Sequence, residues 1–214
     1  LLLDEPFAAL DVESAAVMRR LVREHRAALG IPMLLVTHDP IDAIVLADRA
    51  AILQAGRIVD DGPITRVLGH PRTAFIAALA GVNLVAGVAG GPSVMTTGDG
   101  LVLRGHVGPD AAPAAGGPVR AGDPASAVFS PASVHVQPEA SAHPAPAPSA
   151  VENRWSGTVS TIEPAPGGVR IVTAEHPAIA VDVPTAAAVA FDLEPGARLS
   201  FAVAPADVSV RGTG

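Results

Sequence analysis

The chain has 214 residues, with 14 basic side chains, 21 acidic side chains and a formal net charge of −7 at pH 7. A protein that binds nucleic acid needs a basic face for the phosphates, so this balance argues against that class. Cysteine is absent, which excludes disulfides and cysteine-bound metal. No apolar run reaches the ~20 residues that span a bilayer, and no secretory signal pattern is present.

The chain opens with a predicted buried strand. Residues 1–3 are an apolar run that leads directly into Asp4 and Glu5. Polar side chains in this position lie at the carboxyl edge of a parallel sheet, where open α/β sheets bind ligands. Because the sequence starts at Leu1, inside this strand and without a methionine, we expect the chain to be a piece of a longer protein.

A helix and a second strand follow. Residues 12–29 carry apolar side chains at helical spacing, with Asp11 as the expected N-cap and Gly30 as the stop. Residues 33–36 form a second short apolar run, which ends in the polar segment Thr-His-Asp at residues 37–39. Strand, helix and strand predict a βαβ unit with a right-handed crossover.

Shorter elements complete the first domain. They are a helix at residues 41–47, a hairpin of strands at 50–53 and 57–59, and helices at 64–68 and 73–80. This first unit is expected to end near Gly81. Four arginines of the long helix are interpreted as a solvated face without a functional site: Arg19, Arg20, Arg23 and Arg26.

The second half of the chain has a different composition, and the sequence predicts domains of residues 1–86 and 87–214. Short alternating apolar segments in the second domain predict β-strands with one buried face. Stretches rich in Pro, Ala and Gly near residues 109–118 and 138–150 are interpreted as mobile loops.

An internal repeat supports the β interpretation. Residues 122–136 align without gaps on residues 196–210, and both segments contain Gly, then Ser, then Pro-Ala, then Val-x-Val. Such a repeat predicts two copies of one β-unit that pack together in a compact barrel or sandwich. A chance match between two segments rich in alanine and proline is the alternative.

Three motifs occur in the order and at the spacing found in ABC-type ATPases, and the chain resembles that family. The opening Leu-Leu-Leu-Asp-Glu-Pro resembles the Walker B strand, residues 9–11 resemble the D-loop, and residues 37–39 resemble the switch-histidine segment. The resemblance implies an α/β fold in which the first domain is part of a RecA-like, P-loop NTPase parallel sheet. It also implies ATP and Mg²⁺ as cofactors.

The resemblance implies a role for each polar residue of these motifs. Asp4 would hold Mg²⁺, and Glu5 would be the catalytic carboxylate that orients the attacking water. His38 would contact the γ-phosphate and the water, and Asp11 would face a partner subunit across a shared nucleotide site. The simpler alternative is that Asp4 and Glu5 are a solvated strand end and that His38 is a surface residue.

Two motifs of the family are missing from this sequence. No Gly-x-x-x-x-Gly-Lys-Ser/Thr phosphate loop is present, and the chain contains no lysine at all. The Gly-rich signature motif that precedes the Walker B strand in the family is also absent. Without the phosphate loop, the main electrostatic stabilisation of the β- and γ-phosphates is lost, so this chain is expected to be inactive alone.

The rest of the chain resembles the tail of bacterial importer ATPases, particularly those of the molybdate group. The segments that carry this resemblance are VTHDPIDAIVLADR, GRIVDDG, HPRTAFIAALAG and VNLVAG. The β-repeat resembles the TOBE or Mop-like appendage of those subunits, which is a small OB-like barrel. The resemblance implies a homodimeric ATPase subunit on the cytoplasmic face of the bacterial membrane. Its partners would be permease subunits and, indirectly, an extracytoplasmic solute-binding protein, with molybdate or a related oxyanion as the solute.

The β-repeat departs from the oxyanion-binding relatives at two places. Where those relatives carry Ser-x-Arg-Asn, residues 150–153 are Ala-Val-Glu-Asn, and where they carry a lysine before the last strand, this chain has Ala204 and Pro205. Replacing a cation with Glu152 disfavours a dianion, so a structural appendage is predicted. Two alternatives stay open: a non-catalytic oxyanion-binding or regulatory module on an ATPase remnant, and a decayed gene product.

Overall fold

A computed structural model describes residues 1–107, 120–139 and 153–213, and the chain divides into two compact units, Leu1–Ala80 and Gly81–Gly214. The loop predicted near residues 109–118 lies outside the described residues, as does residue 140 onward of the loop predicted near 138–150. Residues 150–152, where a departure from oxyanion-binding relatives was predicted, also lie outside them. The predicted boundary between residues 86 and 87 falls inside a strand of the second unit, Asn83–Gly91, because the composition changes after that strand has begun.

The described residues contain five α-helices and fifteen strands. The helices are α1 (Val12–Leu29), α2 (Pro40–Leu46), α3 (Ile64–Gly69), α4 (Ala74–Ala80) and α5 (Thr185–Ala190). The strands are β1 (Leu2–Asp4), β2 (Leu34–Val36), β3 (Arg49–Gln54), β4 (Arg57–Pro63), β5 (Asn83–Gly91), β6 (Val94–Thr97), β7 (Val102–Arg104), β8 (His106–Val107), β9 (Pro124–Phe129), β10 (His135–Pro138), β11 (Asn153–Ala165), β12 (Gly168–Thr173), β13 (Ala180–Pro184), β14 (Arg198–Val203) and β15 (Ser209–Gly212). None of the described helices is long and apolar enough to cross a membrane.

The long helix α1 begins and ends at the predicted residues. The Asp11 side chain accepts hydrogen bonds from the backbone N–H groups of Glu13 and Ser14, which have no partner inside the helix. At the other end, Gly30 has a left-handed backbone with φ of 60°, and its N–H donates to the carbonyl of Arg26 at 3.0 Å. Glycine adopts this conformation without a Cβ clash, so the sequence signal and the structure agree.

The first unit contains the predicted β1-α1-β2 segment. β1 and β2 pair in parallel, with Leu2 opposite Leu34 and Asp4 opposite Val36. β3 and β4 form a separate antiparallel hairpin, as the sequence predicted. The α/β character is therefore confirmed, while parallel pairing within the described part of this unit is limited to two strands.

Two small clusters of apolar side chains hold the first unit together. One contains Ile52, Val67, Leu68 and Ile76, and the other contains Phe7, Ala15 and Leu46. Other apolar side chains of β1 and β2 remain in solvent: Leu2 is 77% exposed, Leu34 61% and Val36 52%. One face of this two-stranded sheet is thus uncovered by the described residues.

The second unit is built almost entirely from strands, in two sheets. One sheet has the strand order β7-β6-β5-β9-β15-β8, and the other has the order β13-β12-β11-β14-β10. The first copy of the repeat contains β5, β6, β7, β9 and β10. These strands correspond in order to β11, β12, β13, β14 and β15 of the second copy, and β8 is not part of this correspondence. Each set therefore contributes four strands to its own sheet and its last strand to the other sheet.

The repeat found in the sequence lies at this exchange of strands. Residues 122–136 and 196–210 each form a strand, a 3-10 turn and the start of a second strand, and the two turns are Pro131–Ser133 and Pro205–Asp207. His135 pairs with Ala202, and the equivalent Ser209 pairs with Val128. These two pairings are related by the alignment of the repeats, so the prediction of two copies of one β-unit is confirmed by the strand register.

The duplication extends beyond the aligned segments to a pair of buried asparagines. Asn83 pairs with Phe129 and Asn153 pairs with Val203, so the two residues open equivalent strands. The Asn83 amide exchanges two hydrogen bonds with the backbone of Ala180, at 2.8 and 2.9 Å. The Asn153 amide does the same with the backbone of Arg104, at 2.6 and 2.9 Å. Each copy thus fixes a strand of the other copy through one side chain.

Each of these strands also carries a glycine four residues after its asparagine. A Cβ at Gly87 would lie 2.3 Å from the carbonyl oxygen of Thr96, and a Cβ at Gly157 would lie 2.8 Å from the side chain of Thr173. Both glycines are therefore required by the close approach of the next strand. The pattern Asn-x-x-x-Gly, at residues 83–87 and 153–157, is a second sequence signal of the duplication, which the prediction of the repeat did not include.

Candidate functional site

The parallel pairing of β1 with β2 brings three of the candidate site residues, Asp4, Glu5 and His38, to one edge of the sheet. Asp4 is the last residue of β1, and Glu5 follows it directly. The backbone N–H of Glu5 donates to the carbonyl of Val36, the last residue of β2, at 2.9 Å. His38 comes two residues after Val36. The carboxyl ends of both strands are thus adjacent, as the sequence predicted for a βαβ unit.

Glu5 and His38 are in direct contact at this edge. Nδ1 of His38 lies 2.9 Å from Oε1 and 2.8 Å from Oε2 of Glu5. The side chains are 38% and 78% exposed for Glu5 and His38, so the pair is open to solvent and to ligands. Glu5 has φ of 44°, in the left-handed region that few non-glycine residues adopt. Backbone strain of this kind is concentrated at functional sites in proteins.

The contact changes the protonation of His38. The hydrogen bond with Glu5, and then its negative charge, raise the pKa of His38 above its ordinary value of 6.5. Proton exchange near neutral pH is the property that suits histidine to phosphate contacts and to general acid–base work. With Nδ1 directed to Glu5, the other ring nitrogen, Nε2, can contact a ligand.

Asp4 and Asp11 stand apart from this contact. Asp4 carries an exposed carboxylate at the end of β1. The Asp11 carboxylate caps α1, where it accepts from the N–H of Ser14 at 2.9 Å and from the Ser14 hydroxyl at 2.7 Å. These hydrogen bonds, the backbone one above all, lower the pKa of Asp11. No described hydrogen bond joins Asp11 to Glu5 or His38, so a role of Asp11 across a subunit interface stays a prediction.

The interpretation of the α1 arginines as a solvated face is wrong for two of them. Arg19 has a side chain that is only 13% exposed and forms ion pairs with Asp39 and Asp42. Arg26 donates to the carbonyl of Leu46 at 2.8 Å and pairs with Asp48. The acidic partners lie in and beside α2, so the side of α1 that carries Arg19 and Arg26 packs against that helix.

The sequence contained a signal for this network. Asp39 and Asp42 are three residues apart at the start of α2, so both can face a neighbouring helix. Arginine at such a position binds two carboxylates at once, because its donors form a fixed fork. The match between the arginines of one helix and the acidic residues of the next indicates that the two helices could pair through charge, and only their packing decides which arginines take part.

Comparisons with known proteins identify the proteins to which this chain is similar. Comparison with models of protein families found no match. The chain is 35% identical over 218 aligned residues to the molybdenum import ATP-binding protein ModC of Mycobacterium tuberculosis, and the alignment covers 98% of this chain and 54% of that protein. The chain is related to the ATP-binding subunits of ABC importers. It therefore spans about half the length of this curated relative.

Two further relatives of this ABC importer family import other solutes. The sulfate/thiosulfate import ATP-binding protein CysA 2 of Agrobacterium fabrum is 42% identical over 113 residues, which cover 48% of this chain and 33% of that protein. The Fe(3+) ions import ATP-binding protein FbpC 2 of Rhizobium meliloti is 38% identical over 81 residues, which cover 38% of this chain and 20% of that protein. Among solved structures, the cytoplasmic molybdate-binding protein ModG is 22% identical, with a TM-score of 0.49 over 62% of this chain and 96% of that one.

Proposed function

We propose that the chain is part of the ATP-hydrolysing subunit of a bacterial ABC importer and that the subunit couples ATP hydrolysis to solute uptake. The observation that carries this proposal is the contact between Glu5 and His38 where two parallel strands end. Family membership supports it, because the relatives are named as import ATP-binding proteins. The relative named for molybdenum import aligns over 98% of the chain, which favours molybdate or a related oxyanion as the solute.

Glu5 and His38 would act on the attacking water. A carboxylate can accept a hydrogen bond from the water and polarise it toward the γ-phosphate, which is the main task of a protein in phosphoryl transfer. His38 holds Glu5 through Nδ1 and can direct Nε2 to the γ-phosphate or to the water. The pair therefore combines orientation of the nucleophile with a contact to the transferred group.

Asp4 is the residue of this chain that would hold Mg²⁺. Its exposed carboxylate at the end of β1 supplies a hard oxygen ligand, and Mg²⁺ commonly uses one or two protein carboxylates together with water and phosphate oxygens. A bound Mg²⁺ would neutralise charge that develops on the phosphate oxygens.

In this proposal, the groups that hold the phosphates come from outside this chain. A phosphate loop requires a lysine and a nest of backbone N–H groups, and this sequence has no lysine. We therefore infer that residues 1–80 contribute to a larger RecA-like sheet and are inactive alone. The uncovered face of β1 and β2, with Leu2 and Leu34 in solvent, supports this inference because such a face needs further packing.

The second unit would be a TOBE or Mop-like appendage with a structural role. The resemblance to oxyanion-binding relatives implies a lysine where this chain has Ala204 and Pro205, and neither of these residues offers a positive charge. Asn153, the one residue kept from the Ser-x-Arg-Asn segment, has its amide engaged by Arg104 and the carbonyl of Val203. Both observations favour an appendage over an oxyanion sensor.

The proposed assembly follows from the family. Two ATPase subunits would form a homodimer on the cytoplasmic face of the bacterial membrane, with Asp11 facing the partner subunit. Permease subunits would bind the dimer, and an extracytoplasmic solute-binding protein would deliver the solute to them.

ATP hydrolysis by the complete gene product that contains this chain tests the proposal. Glu5→Gln should lower turnover at least about 100-fold, because it removes the group that orients the water, while ATP binding persists. Glu24→Gln is the matched control, since Glu24 is an exposed glutamate of α1, and it should leave turnover unchanged.

Two results would contradict the proposal. Equal turnover in the parent and in Glu5→Gln would show that Glu5 does not orient the water. A complete gene product that neither binds nor hydrolyses ATP, but binds molybdate in a calorimetric titration, would favour the non-catalytic oxyanion module.

A further inference from the structure

A buried carboxylate lies behind the candidate site and has no part in the function proposed so far. Asp42, in α2, is only 3% exposed. Its Oδ1 accepts from Nε of Arg19 at 2.6 Å, and its Oδ2 accepts from the hydroxyl of Thr37 at 2.6 Å. Both oxygens of a buried charge are thus satisfied by specific donors, which a stable buried carboxylate requires.

The same network fixes the chain on both sides of His38. The Thr37 hydroxyl donates to Asp42 and accepts from the backbone N–H of Asp39 at 3.0 Å. Asp39 accepts from Nη2 of Arg19 at 2.8 Å and caps α2 through the N–H of Ile41 at 2.8 Å. The connection between β2 and α2 is therefore anchored immediately before and immediately after the histidine.

Arg19 also contacts the segment that carries Glu5. Its guanidinium carbon lies 5.6 Å from the centre of the Phe7 ring, and Phe7 is two residues after Glu5 and only 5% exposed. A guanidinium at this distance from an aromatic ring is attracted by the electrons of its face. One side chain thus touches the segments that follow both candidate catalytic residues.

We propose that Arg19, Thr37 and Asp42 are positioning residues that hold His38 against Glu5. His38 is 78% exposed, so little packing restricts its own side chain and its place depends on the backbone that carries it. A displacement of ~1 Å in a reacting group can lower a rate about 100-fold, which makes such support valuable. The proposal rests on the proposed function for its purpose, but the contact that it explains is a property of the chain alone.

Nitrogen NMR of the His38 ring in the whole chain tests this proposal without nucleotide. Because the chain has 7 histidines, a His38→Gln variant assigns the signals. Glu5→Gln defines the ring-nitrogen shifts of a His38 that has lost its partner. Asp42→Asn should move the shifts most of the way to those values.

A second pair of variants separates positioning from folding. Thr37→Ser keeps the hydroxyl and should keep the parent shifts, whereas Thr37→Val removes it and should move them as Asp42→Asn does. These variants decide the question if Asp42→Asn fails to fold. Asp60→Asn is the control for loss of a buried ion pair, because the 6%-exposed Asp60 side chain pairs with Arg66 in the same unit. It should leave the His38 shifts unchanged.

Three results would overturn the proposal: parent shifts in folded Asp42→Asn and Thr37→Val, an equal change in Asp60→Asn, or a further change by Thr37→Val, which keeps the charge of Asp42, in the Glu5→Gln background. Each would mean that the network stabilises the unit without setting the contact. Since no nucleotide is present, these results do not depend on ATP hydrolysis. A failure of the proposed function would instead appear in the turnover of the complete gene product.

Discussion

The two units of this chain bury their strands in different ways. In the described part of the second unit, twenty apolar side chains form one continuous core, and each copy of the repeat gives its last strand to the other sheet. In the first unit, the apolar side chains fall into two small clusters, and Leu2 and Leu34 of the parallel strands stay in solvent. Duplication thus supplies the second unit with a partner for each uncovered face, and the first unit has no such partner within the described residues.

The chemistry of the chain is distributed in the opposite way. The predicted site residues, the strained Glu5 backbone and the Arg19 network all lie in the first unit. A sheet edge with open strand ends can bind a ligand, whereas strands that pair with a duplicate are used for packing. We therefore expect substitutions in the second unit to change mainly the free energy of unfolding, and substitutions in the first unit to change mainly the chemistry of the candidate site.

The largest effect is expected at Phe201, in the core of the second unit. Phe201 is 2% exposed, and its ring stacks on Trp155 with centroids 5.6 Å apart. Phe201→Ala should lower the free energy of unfolding by about 3–5 kcal/mol, because it removes a large buried ring and leaves a cavity. Urea unfolding followed by the fluorescence of Trp155, the single tryptophan of the chain, measures this change.

A matched variant and a second signal make this prediction informative. Val189 is 76% exposed, so Val189→Ala should change the free energy of unfolding by less than about 0.5 kcal/mol. The helical circular dichroism comes mainly from the first unit, which contains α1, α2, α3 and α4, and it should keep its own midpoint in Phe201→Ala. A joint shift of both signals would show that the two units unfold together and would break the comparison between separate cores.

A smaller effect is expected at the two buried asparagines. Asn153→Ala leaves the backbone N–H and carbonyl of Arg104 without their side-chain partner, at a cost of about 1–3 kcal/mol. Asn83→Ala should cost a similar amount, since Asn83 makes the equivalent bonds with Ala180. Urea unfolding of both variants measures the two costs, with Gln137→Ala as a control on an exposed amide.

The two costs test the duplication itself. Closely similar values would mean that the copies share their stabilising contacts as well as their strand order. If only one variant is destabilised, the equivalence of the two copies ends at the backbone.

Local signals in the sequence were sufficient for much of the fold. Asp11 and Gly30 mark the two ends of α1, and they could be recognised in the sequence because capping groups act on atoms within one helical turn. The repeat was visible because Pro-Ala and Val-x-Val recur at the same places, where both copies need a 3-10 turn followed by a strand. Patterns of this kind depend on neighbours in the chain, so they can be recognised without coordinates.

The side-chain contacts that the sequence did not predict depend on distant partners. Arg19 follows the polar periodicity of α1, and only the position of α2 shows that Asp42 removes it from solvent. Asn83 and Asn153 are ordinary polar residues until the strands that they bind, 97 and 49 residues away, are placed beside them. The contact of Glu5 with His38 was predicted in part. The sequence indicated that the strand ends of the βαβ unit meet, but it did not indicate the hydrogen bond between the two side chains.

The smallest effect on stability, and the most direct test of the site, is expected from the Glu5–His38 pair. Because the hydrogen bond with Glu5 raises the pKa of His38, the pair contributes to stability below the unfolded pKa of about 6.5 and loses that contribution as pH rises through the folded pKa. Both groups are exposed, so solvent and salt screen the interaction and the change in unfolding free energy should be slight.

An NMR titration of the His38 ring is the suitable measurement for this pair. Glu5→Gln should move the midpoint down toward 6.5, and added salt should lower the parent midpoint as well. An identical midpoint in the parent and in Glu5→Gln would mean that the two side chains do not meet in solution, and the first unit would then lose the chemical feature that distinguishes it from the second.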